Sequence, residues 1–301
     1  MEVALGCGNF GGIGSAPEFF GQGENREEAF AIMDAGWDLG LRWFDTADAY
    51  GGGRSETWIG DWIRATGNRP KITTKTYNPM EAGADRGLSR ERVLRQAEAS
   101  LERLGVECVD LYLAHEPDPE TPVAETIGAF ETLVERGLVG AFGTSNVSAD
   151  ELREWSGIAL VQNSYSLLER GDEAEVIPFC RERGVDYQAF SPLAGGWLTG
   201  KYRRGEAAPA GSRMAMRPEP YRHLEDDRVY DALDAFEAAA AQRGVSAGGL
   251  ALAWALGGAT SIVVGPRRPE HLAPVREALA LELSAAERDE VGSLFAWPSS
   301  S

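Results

Sequence analysis

The chain has little of what several protein classes depend on. Its 301 residues include three cysteines, Cys7, Cys108 and Cys180. They lie far apart with no CxxC pair, which argues against a disulfide scaffold or a zinc site and fits a reducing compartment. No apolar run reaches the roughly 18 residues needed to span a bilayer. The opening MEVALGCGNF has no basic stretch followed by a long apolar segment, so no secretion signal is expected. Basic residues are also scarce, with 29 Lys and Arg against 47 Asp and Glu and a net charge of −18. So acidic a chain repels phosphate backbones, and nucleic acid is not an expected partner. The expectation is a soluble cytoplasmic protein without a membrane partner.

What is present is a core-forming chain, 43% hydrophobic, in which short apolar runs alternate with longer helix-period segments. The strand candidates are 3–8, 42–47, 71–76, 109–115, 140–145, 158–163, 185–190 and 261–265. Most are rich in β-branched or aromatic residues and short enough for buried parallel strands. Between them, NREEAFAIMDAGWDLG opens on an asparagine cap, and SRERVLRQAEASLERLG runs from Ser89 to Gly105 with apolar residues on one stripe. SADELREW repeats the cap-plus-acid start at Ser148, and DALDAFEAAAAQRG ends at Gly244. Eight strands alternating with helices point to one (β/α)8 barrel domain over residues 1–301. An open doubly wound sheet is the alternative, and the missing GxGxxG after the first strand weighs against it. Residues 203–224 form the longest irregular stretch. They follow strand seven, so they are expected to lie over the mouth of the barrel as a lid or substrate loop.

In such barrels chemistry gathers at the C-terminal strand ends. There the sequence offers Asp45 with Tyr50 just beyond it, then Lys75, then His115, one of only three histidines. Ser145 and Asn146 follow at strand five, and Gln162 and Asn163 at strand six. A lysine within ITTKTY would be costly to bury alone, and Asp45 on the neighbouring strand is its natural partner. An ammonium beside Tyr50 is then expected to lower the phenol pKa from near 10, making it a usable general acid. His115 can add a hydrogen bond from the same mouth. Each residue alone has a plain structural reading, such as an ion pair, a loop anchor or a strand-end hydrogen bond. The four together on successive strands are far more specific.

These residues resemble the aldo-keto reductases. FDTADAYGGGRSE (44–56) looks like that family's Asp–Tyr motif, and the lysine of KITTKT and the histidine of DLYLAHEPDP match its other two catalytic positions. GTSN, VQNSY and FSPLAGGWLTGKY match its cofactor-binding stretches. The resemblance runs in order along nearly the whole chain and is closest to the bacterial branch similar to potassium-channel β subunits. It implies that Tyr50 protonates a carbonyl oxygen, that Lys75 and Asp45 tune it, that His115 orients the substrate, and that a nicotinamide delivers hydride with no metal. It further implies Ser145, Asn146 and Gln162 on the carboxamide, Gly8, Asn9 and Phe10 beside the ribose and nicotinamide, and Phe190 stacked on the ring. Ser191, Pro192, Leu193 and Gly195 would wrap the diphosphate with help from Lys201. Gly265, Arg267 and His271 belong to the adenosine segment. Asp48 is left to serve the loop.

The chain departs from the family pattern in two places. Pro274 and Val275 replace a usual Glu–Asn pair at adenine, and Arg267 with Arg268 suits a 2′-phosphate, so NADPH is preferred over NADH. The family's hairpin that plugs the bottom of the barrel is not seen before strand one, so either the given start is late or the bottom is expected to close differently. Phe19, Phe20, Tyr77, Asn78, Glu116, Trp197 and the 203–224 loop are the candidate lining for a small-molecule aldehyde or ketone. The rival readings are a nicotinamide-binding regulatory subunit with slow turnover and a Schiff-base enzyme using Lys75 as nucleophile.

Overall fold

The computed structural model describes residues 2–296. The strands are β1 (Glu2–Gly6), β2 (Trp43–Asp45), β3 (Lys71–Thr76), β4 (Val109–Ala114), β5 (Val139–Ser145), β6 (Leu160–Ser164), β7 (Asp186–Phe190) and β8 (Ser261–Val264). All pair in parallel in sequence order, and β8 returns to β1 through Ser261 beside Glu2 and Val264 beside Leu5, closing the barrel. Closure removes the doubly wound alternative. The expected strand positions hold to within a few residues. The largest difference is β2, only three residues long, because the chain bends away at Thr46 to build the loop that carries Tyr50.

β3 shows why such runs become buried strands. Its threonines supply both β-branched packing and hydroxyls that are satisfied locally. Thr73 accepts from the Trp43 indole, Thr74 donates to buried Glu56, and Thr76 donates to Asp48. Helix Arg26–Asp38 starts on a full capping box between Asn25 and Glu28, as its sequence predicts. Helix Arg90–Leu104 follows Ser89, but the serine side chain makes no cap bond, and Glu125 accepts from the Arg90 amide instead. The helix predicted at Ser148 has its capping box but covers only Ala149–Leu152.

At the bottom of the barrel Trp43 and Ala141 pack on the buried cluster of Leu111, Leu113 and Leu160. The Lys71 ammonium lies 4.9 Å from the Trp43 ring centroid. Barrel side chains therefore close this end among the described residues, leaving a shallow recess of about 220 Å³ bordered by Val3, Leu41, Trp43, Lys71 and Leu279. The 203–224 segment is not wholly irregular, since it holds a short helix at Arg213–Met216 and a 3₁₀ turn at Glu219–Leu224. Among the described residues no helix is long and apolar enough to cross a membrane.

Candidate active site

The upper rim gathers the polar strand ends. Asp45 is the last residue of β2, and Lys75 sits one residue before the end of β3, so both side chains enter the barrel mouth. Lys75 is fully buried, and its Nζ donates to Asp45 Oδ1 at 2.5 Å and to the Thr46 carbonyl at 2.9 Å. Tyr50 opens the 3₁₀ turn Tyr50–Gly53, and its ring lies 5.2 Å from the Lys75 ammonium. His115 follows β4, and its Nε2 is 3.4 Å from the Tyr50 hydroxyl, the two rings meeting edge to face. The ring of Tyr50 rests against Gly8. Asp45, Tyr50, Lys75 and His115 thus form one contiguous group, as their positions in the sequence predict.

Burial and neighbouring charge act on Lys75, Tyr50 and His115 in different directions. Burial pulls the Lys75 ammonium down, but Asp45 and Tyr50 outweigh it, and its pKa rises above the ordinary lysine value. A lysine held charged is a poor amine nucleophile, which counts against the Schiff-base reading. Burial raises the Tyr50 phenol, and the Lys75 ammonium only partly opposes it. The expectation that Lys75 brings the phenol below its usual value is therefore corrected, because desolvation of the phenolate wins. Burial, and then Lys75, hold His115 well below the ordinary imidazole value, so it is neutral. Its Nδ1 is buried without a hydrogen-bond partner.

A hydrogen-bonded chain crosses the barrel beneath these groups. The Gln188 amide donates to Ser261 Oγ, the Gln162 amide donates to Gln188 Oε1, and it also donates to Asp45 Oδ2 at 2.7 Å. Asp45 is therefore held from both sides, by Lys75 and by Gln162. Sequence reasoning singled out Gln162 but not Gln188 or Ser261, which lie deeper in their strands and carry no motif. Asn146 donates to the His115 carbonyl and to Ser145 Oγ. Asn146, Ser191 and Ala194 are the non-glycine residues with positive φ (56°, 54° and 47°) among the described residues. All three lie in the stretches singled out for a cofactor, where strained backbone is a mark of function.

Farther along the rim positive charge collects. Lys201 extends over Gly196, and desolvation, then Arg213 and Arg267, pull its ammonium below the ordinary value. Arg213, in the 203–224 segment, donates to Asn9 Oδ1 at 2.9 Å, and the Tyr221 ring packs on Gly195. Arg267 pairs with buried Glu24, and its backbone amide donates to His271 Nδ1. Arg268 is largely exposed. Arg213 and Glu24 were not singled out from sequence; the irregular GSRMAM stretch gives no periodic signal, and Glu24 precedes a helix like any surface acid. A dinucleotide fits this arrangement. The bend at Ala194–Gly196 has no side chain at Gly195 and Gly196, where Tyr221 and Lys201 come close to the backbone, Lys201, Arg213, Arg267 and Arg268 offer phosphate partners, and the Asp45–Lys75–Tyr50–His115 group stands at the other end.

Not every candidate reaches the mouth. Phe10 is fully buried in the core, and Trp197 is packed against Tyr202 and Tyr230. Neither presents a face to the barrel mouth. Phe19 and Phe20 are partly exposed, Phe19 lying under the Arg217 guanidinium at 5.1 Å. Tyr77 and Phe190 are partly exposed at their strand ends, and exposed Glu116 accepts from Asn78 at 3.3 Å. Buried Arg92 donates to the Asn78 and Gly87 carbonyls and to Thr76 Oγ1, bracing the loop that carries Tyr77.

Residues 2–295 match the model of the Aldo/keto reductase family. The uncharacterized oxidoreductase YrpG of Bacillus subtilis is 35% identical over 302 residues, covering 93% of this chain and 90% of the relative. A probable voltage-gated potassium channel subunit beta of Oryza sativa is 33% identical, over 86% of this chain and 84% of the relative. The structure of a glycerol dehydrogenase from Gluconobacter oxydans superposes with a TM-score of 0.83 at 27% identity, over 97% of this chain and 90% of that one.

Proposed function

The chain belongs to the aldo/keto reductase family, and from that premise we propose that it reduces aldehydes or ketones to alcohols, with NADPH as hydride donor and Tyr50 as general acid. The observation that carries this reading is the Tyr50 hydroxyl 3.4 Å from a neutral His115 and beside a charged, Asp45-paired Lys75. A reduced nicotinamide bound here would supply hydride to the carbonyl carbon. His115, neutral, and the Tyr50 hydroxyl both hydrogen-bond the carbonyl oxygen. As negative charge develops there, Tyr50 gives up its proton and the Lys75 ammonium stabilises the phenolate left behind. Asp45, held by Gln162, keeps Lys75 charged and aimed. Solvent then restores the phenol proton. Lys201, Arg213, Arg267 and the 191–196 bend hold the phosphates, and Arg267 with Arg268 favours the 2′-phosphate of NADPH over NADH. The 203–224 segment serves as a lid on the cofactor groove.

The test is NADPH oxidation followed by absorbance over a panel of aromatic and aliphatic aldehydes and ketones. The wild type is expected to turn over at least one, and Tyr50→Phe to lose about 10²- to 10⁴-fold in kcat. A variant as active as the wild type rules out Tyr50 as the proton donor. A second reading, a nicotinamide-binding regulatory subunit with slow turnover, draws on the likeness to the rice channel subunit. NADPH binding without turnover of any substrate would favour it. Among the described residues the exposed large hydrophobics are only Val134 and Leu279, which offers such a partner little apolar surface.

A further inference from the structure

Glu24 is a buried carboxylate that the proposed chemistry does not use. It is 3% exposed, its Oε1 accepts from Arg267 Nε at 2.5 Å, and its equally buried Oε2 has no hydrogen-bond partner. Its place is tightly fixed. Its amide donates to the Asn9 carbonyl and its own carbonyl accepts from the Gly11 amide. A Cβ on the preceding Gly23 would lie 2.0 Å from the carbonyl oxygens of Asn9 and Gly12, so the main chain that carries Glu24 is packed tightly against the segment after β1. Arg267 is held elsewhere too, its Nη1 donating to the Gly211 carbonyl at 2.6 Å and lying against the Met216 sulfur. One guanidinium thus ties the segment after β1, the segment after β8 and the 203–224 segment together.

A buried carboxylate keeps its charge only while a cation neutralises it, and here burial already holds Glu24 above the ordinary carboxylate value. A phosphate that takes the Nε edge of Arg267 displaces Glu24, and one held at the Nη atoms sits close to a carboxylate that still shares the guanidinium. We propose that Glu24 is a specificity-determining residue, the resting counter-ion of Arg267 that competes with the 2′-phosphate for its guanidinium. In this conformation Glu24 holds Arg267 aimed and ordered but weakens the grip on a 2′-phosphate, setting the margin between NADPH and NADH. This rests on the reading of Arg267 as the phosphate holder.

The experiment measures, by calorimetry, the binding of adenosine 2′,5′-bisphosphate and of 5′-AMP to the full chain. Arg267→Met tests the underlying reading, and it is expected to lose most of the preference for the bisphosphate. Glu24→Gln tests the inference itself. It removes the competing charge and is expected to tighten the bisphosphate about tenfold while leaving 5′-AMP unchanged. Glu24→Asp keeps the charge but falls a methylene short of Nε, and it is expected to shift the same ratio the same way by less. It also serves if the glutamine variant fails to melt cooperatively. A merely structural Glu24 would weaken both ligands together. Bisphosphate binding that is unchanged or weaker in both Glu24 variants, with Arg267→Met losing its preference, overturns the role of Glu24 alone. An Arg267→Met variant that keeps its preference overturns the reading of Arg267 and this inference with it.

Discussion

A phenol shifted by burial and a phenol shifted by an ammonium move in opposite directions, and at Tyr50 the two act together. Sequence spacing brings Lys75 to Tyr50 and suggests the lowering. It cannot weigh how much of the ring the barrel mouth desolvates, and burial outweighs Lys75. The sign decides the pH range of activity. Carbonyl reduction needs the protonated phenol, and a pKa above the usual value near 10 keeps it protonated across the neutral and mildly alkaline range. The kcat/KM for reduction is therefore expected to stay level with rising pH and to fall only above about 10, while alcohol oxidation, which needs the phenolate, rises over the same range. A pH–rate series in both directions checks this. An alkaline fall centred below about 9 would mean that Lys75 dominates after all. The four catalytic candidates were legible because three are polar residues at predicted strand ends and Tyr50 lies in the loop just beyond one of them. The grip of Gln162 on Asp45 was not, since it joins β2 to β6 across the barrel and no local pattern encodes a contact between residues 117 positions apart.

Elements were legible where their ends carry side-chain signals and less so where backbone geometry makes the end. The helix after Asn25 is announced by its capping box. The helix Arg54–Thr66 begins instead on Gly53 in the left-handed region with no side-chain cap, and the sequence reading passed over it. The turn between β2 and this helix is a demanding connection near the site. Gly51 has φ 59°, and a Cβ there would stand 2.5 Å from the Phe10 carbonyl oxygen, where the segment after β1 passes. Gly51→Ala is accordingly expected to cost about 2 kcal/mol or more of stability. Because Tyr50 is the adjacent residue, it should also reduce kcat/KM for reduction well beyond what the stability loss explains. Denaturant unfolding and steady-state kinetics on the same preparation separate the two effects. An alanine variant equal to the wild type in both would mean that the loop relaxes freely and does not position the phenol.

For the whole molecule, the alternation of apolar runs with helix-period segments carried the barrel, because each parallel strand must be buried on both faces and each crossover must be helical. Its closure, and the packing of Trp43 across the bottom, depend on register and not on composition. One consequence reaches global stability. Asp48 lies buried between the Tyr50 loop and β3, its Oδ1 accepting from the Ala49 amide and its Oδ2 from Thr76 Oγ1 at 2.7 Å. These bonds support its assignment to the loop. Burial, and then the nearby charge of Glu56, push its carboxyl up to about 7 from an ordinary 3.8. The folded protein therefore holds a proton there that the unfolded chain releases near pH 4, so this residue's contribution falls as pH rises through that window and levels off above about 7. Its largest slope is about 1.4 kcal/mol per pH unit. Other acids titrate as well, and buried Glu24 shifts in the same sense while the partly exposed Asp61 and Asp118 shift in the opposite one. The diagnostic quantity is therefore the difference from Asp48→Asn, which keeps the shape and cannot ionise. The asparagine variant is expected to gain stability relative to the wild type as pH rises from about 4 to 7 and to hold that gain above it. Urea unfolding at a series of pH values measures the difference directly, and a gap that does not change with pH would mean that the Ala49 and Thr76 bonds outweigh burial and keep Asp48 ionised throughout.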